Sequence, residues 1–427
     1  MQQNQLIILG QTNYRNVRRR FGIKPEDRRR HTYIVGKTGM GKSTLLLNCI
    51  VQDLQYGNGV AVIDPHGDLV ERVLDHVPPR RINETIYFNP ADAEYPIGFN
   101  VLACPDPAQR HLVASGLVQV FKKIWADSWG PRLEYVLRNA FLALLEKPGN
   151  TLLGVPRLLV DDRYRAKIMA GVKDPIVRNF WAVEFAQYPK VFRTETISPI
   201  QNKVGQFLTN PLIRNILGQT RTKFDLLDVM DSGKILLVNL AKGKIGEDSS
   251  SLLGSLMVTQ LHLAALRRAS KPEDERRDFH LYIDELQSFV TEDFPSILSE
   301  ARKYGLNIAG MANQFISQLS PTLASAILGN VGSLVAFATG SEDAEILSRE
   351  FNHVFSEEDM LSLPKYSIYI KLSINGSTSE AFSGETLHPL ETGGMSCREK
   401  VVSQSRERYG SVRGGVEARV QKWLLYP

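Results

Sequence analysis

Apolar residues follow two different patterns along this chain. Outside its middle third they form short continuous runs rich in Val, Ile, Leu and aromatics, at residues 33–35, 60–63, 86–88, 234–240, 278–285, 306–311 and 334–338. Continuous rather than alternating runs suit strands buried on both faces of a parallel sheet. Helical segments separate them, as at 44–56, 69–76, 247–268, 294–304 and 342–351. From about residue 105 to 227 the strand pattern nearly vanishes and apolar positions recur at helical spacing, as at 112–124, 133–145, 175–185 and 199–208. Pro131, Pro148, Pro156, Pro189 and Pro211 fall at the expected helix boundaries. Phe121, Trp125 and Trp129, four apart, share one helical face and read as a core or subunit-contact stripe.

The pattern predicts an α/β fold: a mostly parallel sheet with helices on both faces, interrupted by an all-α subdomain. The expected boundaries are 1–104 for the N-terminal segment and first part of the core, and 105–230 for the helical insertion. The second part of the core is expected at 231–390, with a C-terminal β-hairpin, and a basic helical tail at 391–427. Short extended pieces at 6–9 and 21–23 precede the core, and Asn375-Gly376 between 367–374 and 378–382 is a type I′ hairpin signal.

The first core strand runs into Gly36-Lys37-Thr38-Gly39-Met40-Gly41-Lys42-Ser43-Thr44, and Leu45 to Leu47 continue as an apolar helix. This is the G-x-x-x-x-G-K-S phosphate loop in its strand–loop–helix setting. Glycines let backbone N–H groups approach phosphate oxygens, and the helix N-terminus adds positive potential. Lys42 can reach the β- and γ-phosphates of ATP, and the Ser43 hydroxyl can bind Mg²⁺. Residues 281–285, Leu-Tyr-Ile-Asp-Glu, supply the second half of such a site. The strand delivers Asp284 to its carboxyl end, where it can hold Mg²⁺, and Glu285 can orient or deprotonate the attacking water. Gln314, ending the next strand, has two readings: a polar sensor of the γ-phosphate, or an ordinary strand-end turn. Arg302 also has two: a cation complementing a helix C-terminus, or an arginine finger for a neighbouring subunit's nucleotide. Lys242 and Lys244 sit in a glycine-bearing loop that either faces nucleic acid or is simply solvated.

Charge adds a partner class. The net charge is only +5, but Arg15, Arg18, Arg19, Arg20, Arg28, Arg29 and Arg30 crowd one end. Arg398, Lys400, Arg406, Arg408, Arg413, Arg419 and Lys422 crowd the other. Such clusters are either the footprint of a polyanion, most often nucleic acid, or a solvated surface. No apolar run is long enough for a membrane span, and the first ten residues lack a signal-peptide pattern. Three scattered cysteines (Cys49, Cys104, Cys397) fit a reducing compartment, so a cytoplasmic location is expected. His66, His111, His262 and His280 are isolated, which argues against a histidine metal site.

With these motifs in order, the chain resembles the HerA–FtsK superfamily of ring-forming P-loop ATPases, and within it the TraG/TraD/TrwB-type coupling ATPases of conjugative DNA transfer. The likeness is carried by HTYIVGKTGMGKSTLL, VAVIDPHGDL, GKILLVNLAKGKIGED, HLYIDELQSF, SEARKYGLNIAGMANQ and NVGSLVAFATGSEDAEIL, between about residues 30 and 385. It implies a RecA-like core with the Gln314 strand between the P-loop and Asp284 strands, and a hexameric ring passing DNA through its centre. It favours Arg302 as the finger acting on a neighbour, because the family's R-K-x-G-[IL] segment falls on Arg302, Lys303, Gly305 and Leu306. The implied activity is ATP-driven, Mg²⁺-dependent DNA translocation for a type IV secretion-like or mobile-element system. The implied partners are DNA and a relaxase, nuclease or secretion-channel component.

Two departures stand out. Coupling proteins usually carry N-terminal transmembrane helices and this sequence shows none, so either a partner recruits it to the membrane's inner face or it works on DNA without one. Related sequences often carry an arginine in the strand reading Val335-Ala336-Phe337-Ala338, and here there is none between Val331 and Ser348. Three competing functions share these motifs: a HerA-like DNA-processing or defence motor with a nuclease partner, a secretion adaptor acting on proteins, and a pilus-type assembly ATPase.

Overall fold

In the computed structural model, which describes residues 5–391 and 395–425, strands form where the continuous apolar runs lie. Among the described residues these are β1 (Ile7–Thr12), β2 (Arg20–Ile23), β3 (Thr32–Val35), β4 (Gly59–Asp64), β5 (Thr85–Phe88), β6 (Ile235–Asn239) and β7 (Phe279–Ile283). Then follow β8 (Leu306–Asn313), β9 (Ser333–Ala336), β10 (Ser367–Lys371), β11 (Ser373–Ile374), β12 (Ser377–Thr378) and β13 (Phe382–Thr386). Every residue of β3, β4, β6 and β7 is buried, as their unbroken apolar sequences require.

One sheet runs in the order β2-β1-β13-β10-β9-β3-β8-β7-β4-β6-β5. From β9 to β5 all neighbours are parallel, while β10, β13, β1 and β2 add antiparallel strands at one side. β8 lies between β3 and β7, as the resemblance implied. The small hairpin β11–β12 turns through Asn375 at φ 51° and Gly376 at φ 80°, the two positive values of a type I′ turn.

Contacts divide the chain into two compact units. The sheet unit holds the residues up to Phe88, Leu226–Ala241 and Ala264–Gln404. The helical unit holds Asn89–Asp225, Lys242–Leu263 and the residues from Ser405. The division therefore falls earlier than residue 104, and the helical unit recruits two further pieces of chain. Its core gathers Phe121, Phe141, Phe180, Trp181 and Phe185, all buried. Trp125 caps the helix Arg110–Ile124 with its ring 4.6 Å from that of Phe121, so these two members of the stripe are core packing, while Trp129 is half-buried.

The described residues of the basic tail expected at 391–427 form two helices, as its helical reading required. Helix Arg398–Tyr409 contributes residues to both units, and helix Arg413–Leu425 belongs to the helical unit. Several of its cations are neutralised by acids far away in sequence. Arg398 pairs with Glu71 and Asp75, Arg406 with Asp92, and Arg413 with Glu94 as well as with its helical neighbour Glu417.

The N-terminal cluster is divided in the same way. Arg18, Arg19 and Arg20 are exposed, leading into and starting the edge strand β2, but Arg28 is buried. Its guanidinium grips both Asp53 oxygens at 2.7 Å and donates to the Tyr282 hydroxyl at 2.9 Å, which itself donates to Asp53 at 2.6 Å. Arg28 thus ties the chain entering β3 to the helix after the phosphate loop and to β7. The guanidinium and the Tyr282 hydrogen bond hold the Asp53 carboxyl below its usual range although burial alone would raise it. A buried pair loses most when one partner goes, because the other charge stays behind in a dry site. Arg28→Ala and Asp53→Ala should each reduce stability by about 3–5 kcal/mol, measured by urea unfolding of the sheet unit's signal. A loss below about 1 kcal/mol, the size of a surface pair, would contradict this.

Candidate active site

The phosphate loop is anchored to its neighbours before it turns. Gly36 N–H donates to the Asn313 carbonyl at 3.3 Å, and Lys37 N–H donates to the Ala338 carbonyl at 2.7 Å. The loop is thereby fastened to the ends of β8 and β9. Two glycines are required by space as well as by backbone angle. A Cβ on Gly36 would stand 2.5 Å from Phe337 Cβ, and one on Gly41 (φ 123°) would stand 2.7 Å from the Tyr366 ring. Tyr366 closes the loop's outer side, donating its N–H to the Met40 carbonyl at 2.9 Å. Thr38 and Gly39 at the crown are exposed, and Thr44 is buried in the helix Lys42–Tyr56.

Lys42 folds back across this loop. Its ammonium donates to the Gly36 carbonyl at 2.6 Å and the Lys37 carbonyl at 3.1 Å, spanning the concavity that phosphate oxygens would enter. Burial lowers its pKa, opposed by the nearby Glu285 and Asp284 carboxylates. Ser43 Oγ donates to Asp284 Oδ2 at 3.2 Å, so the two expected Mg²⁺ ligands are in contact. Glu285 follows in a left-handed conformation (φ 50°, ψ 58°), its N–H donating to Asp284 Oδ1 at 3.2 Å.

A third acid joins them that sequence reasoning left without a role. Asp64 ends β4 next to β7, fully buried, and accepts from the N–H groups of His66 at 2.8 Å and Val70 at 3.1 Å. Its signal was present, since residues 60–64 repeat the apolar-strand-then-acid pattern of 281–284. The Asp284 carboxyl is pushed up to about 6, by burial first and then by Asp64 and Glu285, with Lys42 and Ser43 opposing. Three carboxylates against one ammonium leave an excess of negative charge that a divalent cation would balance. Among the described residues, no cluster of three or more His, Cys, Asp or Glu side chains could cage a metal alone. Mg²⁺ takes one or two protein ligands and completes its shell with phosphates and water, a demand that Ser43 and Asp284 would meet.

The remaining candidates are placed differently. Gln314 follows the end of β8, half-buried, and its neighbour Asn313 is fully buried and hydrogen-bonded within the site. Arg302 is exposed in a helical turn just ahead of β8, whereas Asn313 and the phosphate loop lie at that strand's other end. Eight residues of strand separate the two edges by roughly 25 Å, so Arg302 is out of reach of its own chain's phosphates. Lys242 and Lys244 lie on an exposed helical turn, Lys242–Ile245, of the helical unit rather than in an open loop.

The family described as the type IV secretion-system coupling protein DNA-binding domain matches residues 20–360. The chain belongs to this family. Its fold is that of solved coupling-protein structures. The plasmid coupling protein TrwB with the non-hydrolysable GTP analogue GDPNP is 17% identical, with a TM-score of 0.62 and 88% of each chain covered. TrwB with ADP and Mg²⁺ is 16% identical, with a TM-score of 0.62 and 92% of each chain covered. VirB4 of Thermoanaerobacter pseudethanolicus is 15% identical, with a TM-score of 0.59 over 90% of this chain and 96% of that one. No curated protein sequence matches the chain. In this coupling-family chain, no helix among the described residues is long and apolar enough to cross a membrane.

At the Arg302 edge, His31 holds the sheet to a helix. Its ring donates through Nε2 to the Leu298 carbonyl at 2.8 Å and accepts through Nδ1 from Ile308 N–H at 3.0 Å. Only a neutral imidazole can do both. Burial, assisted by nearby Arg302, lowers its pKa from 6.5 to about 4, and burial beside Arg28 does the same to His280. Their stabilisation is therefore complete above pH 6.5 and lost as the pH falls toward 4, because the unfolded chain binds more protons in that window. The melting temperature should drop by several degrees between pH 7 and pH 5, and by less in His31→Gln; a wild-type profile flat over that range would contradict the assignment.

Proposed function

We propose that this coupling-family chain is a Mg²⁺-dependent ATPase that drives DNA translocation in a conjugative, type IV secretion-like or mobile-element system. The observation that carries the reading is the convergence of the phosphate loop, the Ser43–Asp284 contact and Glu285 at one carboxyl edge of β3, β8 and β7. Gly36, Lys37, Thr38, Gly39, Met40, Gly41 and Thr44 form the loop around the phosphates, with Lys42 reaching into it. Ser43 and Asp284 would hold Mg²⁺, whose chemistry is to offset phosphate charge and orient the phosphoryl group. Glu285 positions and deprotonates water, and Gln314 serves as polar sensor of the γ-phosphate. The nucleotide analogues, ADP and Mg²⁺ in the TrwB structures support this ligand set.

Lys42→Ala and Glu285→Gln should each abolish turnover, the second while still binding ATP. Substantial hydrolysis by purified Glu285→Gln would remove Glu285 from its role.

DNA is the proposed substrate of motion, supported by the family and by exposed Arg18, Arg19 and Arg20. Lys242 and Lys244 are exposed and available as phosphate contacts. DNA should accelerate hydrolysis, with binding that weakens steeply as salt rises. A rate indifferent to single- and double-stranded DNA at low salt would argue for a protein-recruiting adaptor or an assembly ATPase instead. A relaxase, nuclease or channel component is the expected protein partner, and recruitment by it would bring the chain to the membrane's inner face.

The distance between Arg302 and its own phosphate loop supports a homo-hexameric ring in which Arg302 completes the next subunit's site. An equimolar mixture of Lys42→Ala and Arg302→Ala chains should then regain part of the activity. No recovery in rings shown to be mixed would return Arg302 to a plain helix-end cation.

A further inference from the structure

Glu285 is not free in this structure. Its Oε2 accepts from Gln287 Nε2 at 2.6 Å, and Gln287 Oε1 accepts from Asn313 Nδ2 at 2.9 Å. The order of donors along this chain is dictated at one end. A carboxylate only accepts, so Gln287 must turn its NH₂ toward Glu285 and its carbonyl toward Asn313. Asn313 must then present its own NH₂ to Gln287. Its Oδ1 is left facing elsewhere, buried and without a partner. That orphan acceptor follows from the network rather than from an arbitrary choice of amide orientation. Asn313 itself is fully buried at the end of β8, and its backbone carbonyl receives the first N–H of the phosphate loop.

We propose that Gln287 and Asn313 are positioning residues that hold Glu285 in a resting orientation and release it when phosphate fills the loop. The inference rests on the hydrolytic reading of the site. Phosphate oxygens only accept, so a phosphate beside Asn313 favours its NH₂ and disfavours the orphan carbonyl. Turning that amide withdraws the donor from Gln287 and offers it a carbonyl. Gln287 restores the bond by turning its own NH₂ toward Asn313, which withdraws it from Glu285. Two amide rotations thus carry a signal from the phosphate loop to the base, with no backbone motion required. While the bond lasts, Glu285 Oε2 is occupied by the Gln287 donor and the carboxylate is held in that one orientation. The left-handed backbone of Glu285, uncommon outside glycine, keeps the side chain where Gln287 can reach it.

The test is steady-state ATP hydrolysis by the full chain, with and without DNA, in wild type, Gln287→Ala and Asn313→Asp. Asn313→Asp keeps the side-chain size but has no NH₂ for Gln287, so it breaks the relay with little change in volume. Both variants should raise kcat without DNA by roughly ten- to a hundredfold, the effect of one hydrogen bond to a carboxylate. KM should stay unchanged in Gln287→Ala and rise in Asn313→Asp, whose carboxylate stands where the phosphate favours an NH₂, and the stimulation by DNA should shrink in both. Adding Glu285→Gln to Gln287→Ala should return turnover to zero, because the gain acts through the base. A lower or unchanged kcat in both variants would overturn the relay as a restraint. If Gln287→Ala does not fold, Asn313→Asp decides alone. These failures leave the ATPase reading intact if wild type still hydrolyses ATP and Lys42→Ala does not. A wild-type chain without Mg²⁺-dependent hydrolysis, with or without DNA, would overturn both together.

Discussion

Three acids and one ammonium at a single edge of a buried sheet set the terms for the rest of this molecule. Asp64, Asp284 and Glu285 lie close enough that burial and mutual repulsion lift the Asp284 carboxyl to about 6, while Lys42 bends back onto its own loop. Such an arrangement is poorly balanced electrostatically and persists because parallel strands hold it in register. β4, β7, β8 and β3 are adjacent and fully cored, so the residues that follow them cannot drift apart to relieve the charge. Stability invested in the sheet is thus stored as unmet charge at its edge. Magnesium and phosphates are the chemistry that would meet it.

The same geometry divides the candidate residues into those a chain can use itself and those it cannot. Groups that follow strand ends converge; groups that precede strands are a full strand length away. Arg302 falls in the second class, near His31 and the start of β8. In the proposed ring, where Arg302 finishes another copy's site, hydrolysis would be contingent on assembly. The helical unit is separate from this chemistry, with its own aromatic core.

How much of this was legible beforehand depended on whether a signal was local. The phosphate loop, the Leu-Tyr-Ile-Asp-Glu strand and the Asn375-Gly376 turn are contiguous, and their chemistry is written in neighbouring residues. The arginine clusters were not legible, because a run of cations says nothing about acids tens to hundreds of positions away. Arg28 meets Asp53 and Arg398 meets Glu71 and Asp75 only after folding, which converts part of an apparent polyanion surface into internal ties. Asn313 was hidden beside the more suggestive Gln314, and only the hydrogen-bond pattern around Glu285 sets it apart. The boundaries between units were blurred for a related reason: Lys242–Leu263 and the last helix join the helical unit through contacts that periodicity does not encode.

The central claim is that the loop and the carboxylates act as one Mg²⁺-dependent nucleotide site. Calorimetric titration of ATP, with and without Mg²⁺, into wild type, Ser43→Ala and Asp284→Asn tests it most directly. The account predicts that Mg²⁺ tightens binding to wild type and that this coupling is largely lost in both variants, while binding without the metal is retained. An equal Mg²⁺ effect in all three proteins would contradict it.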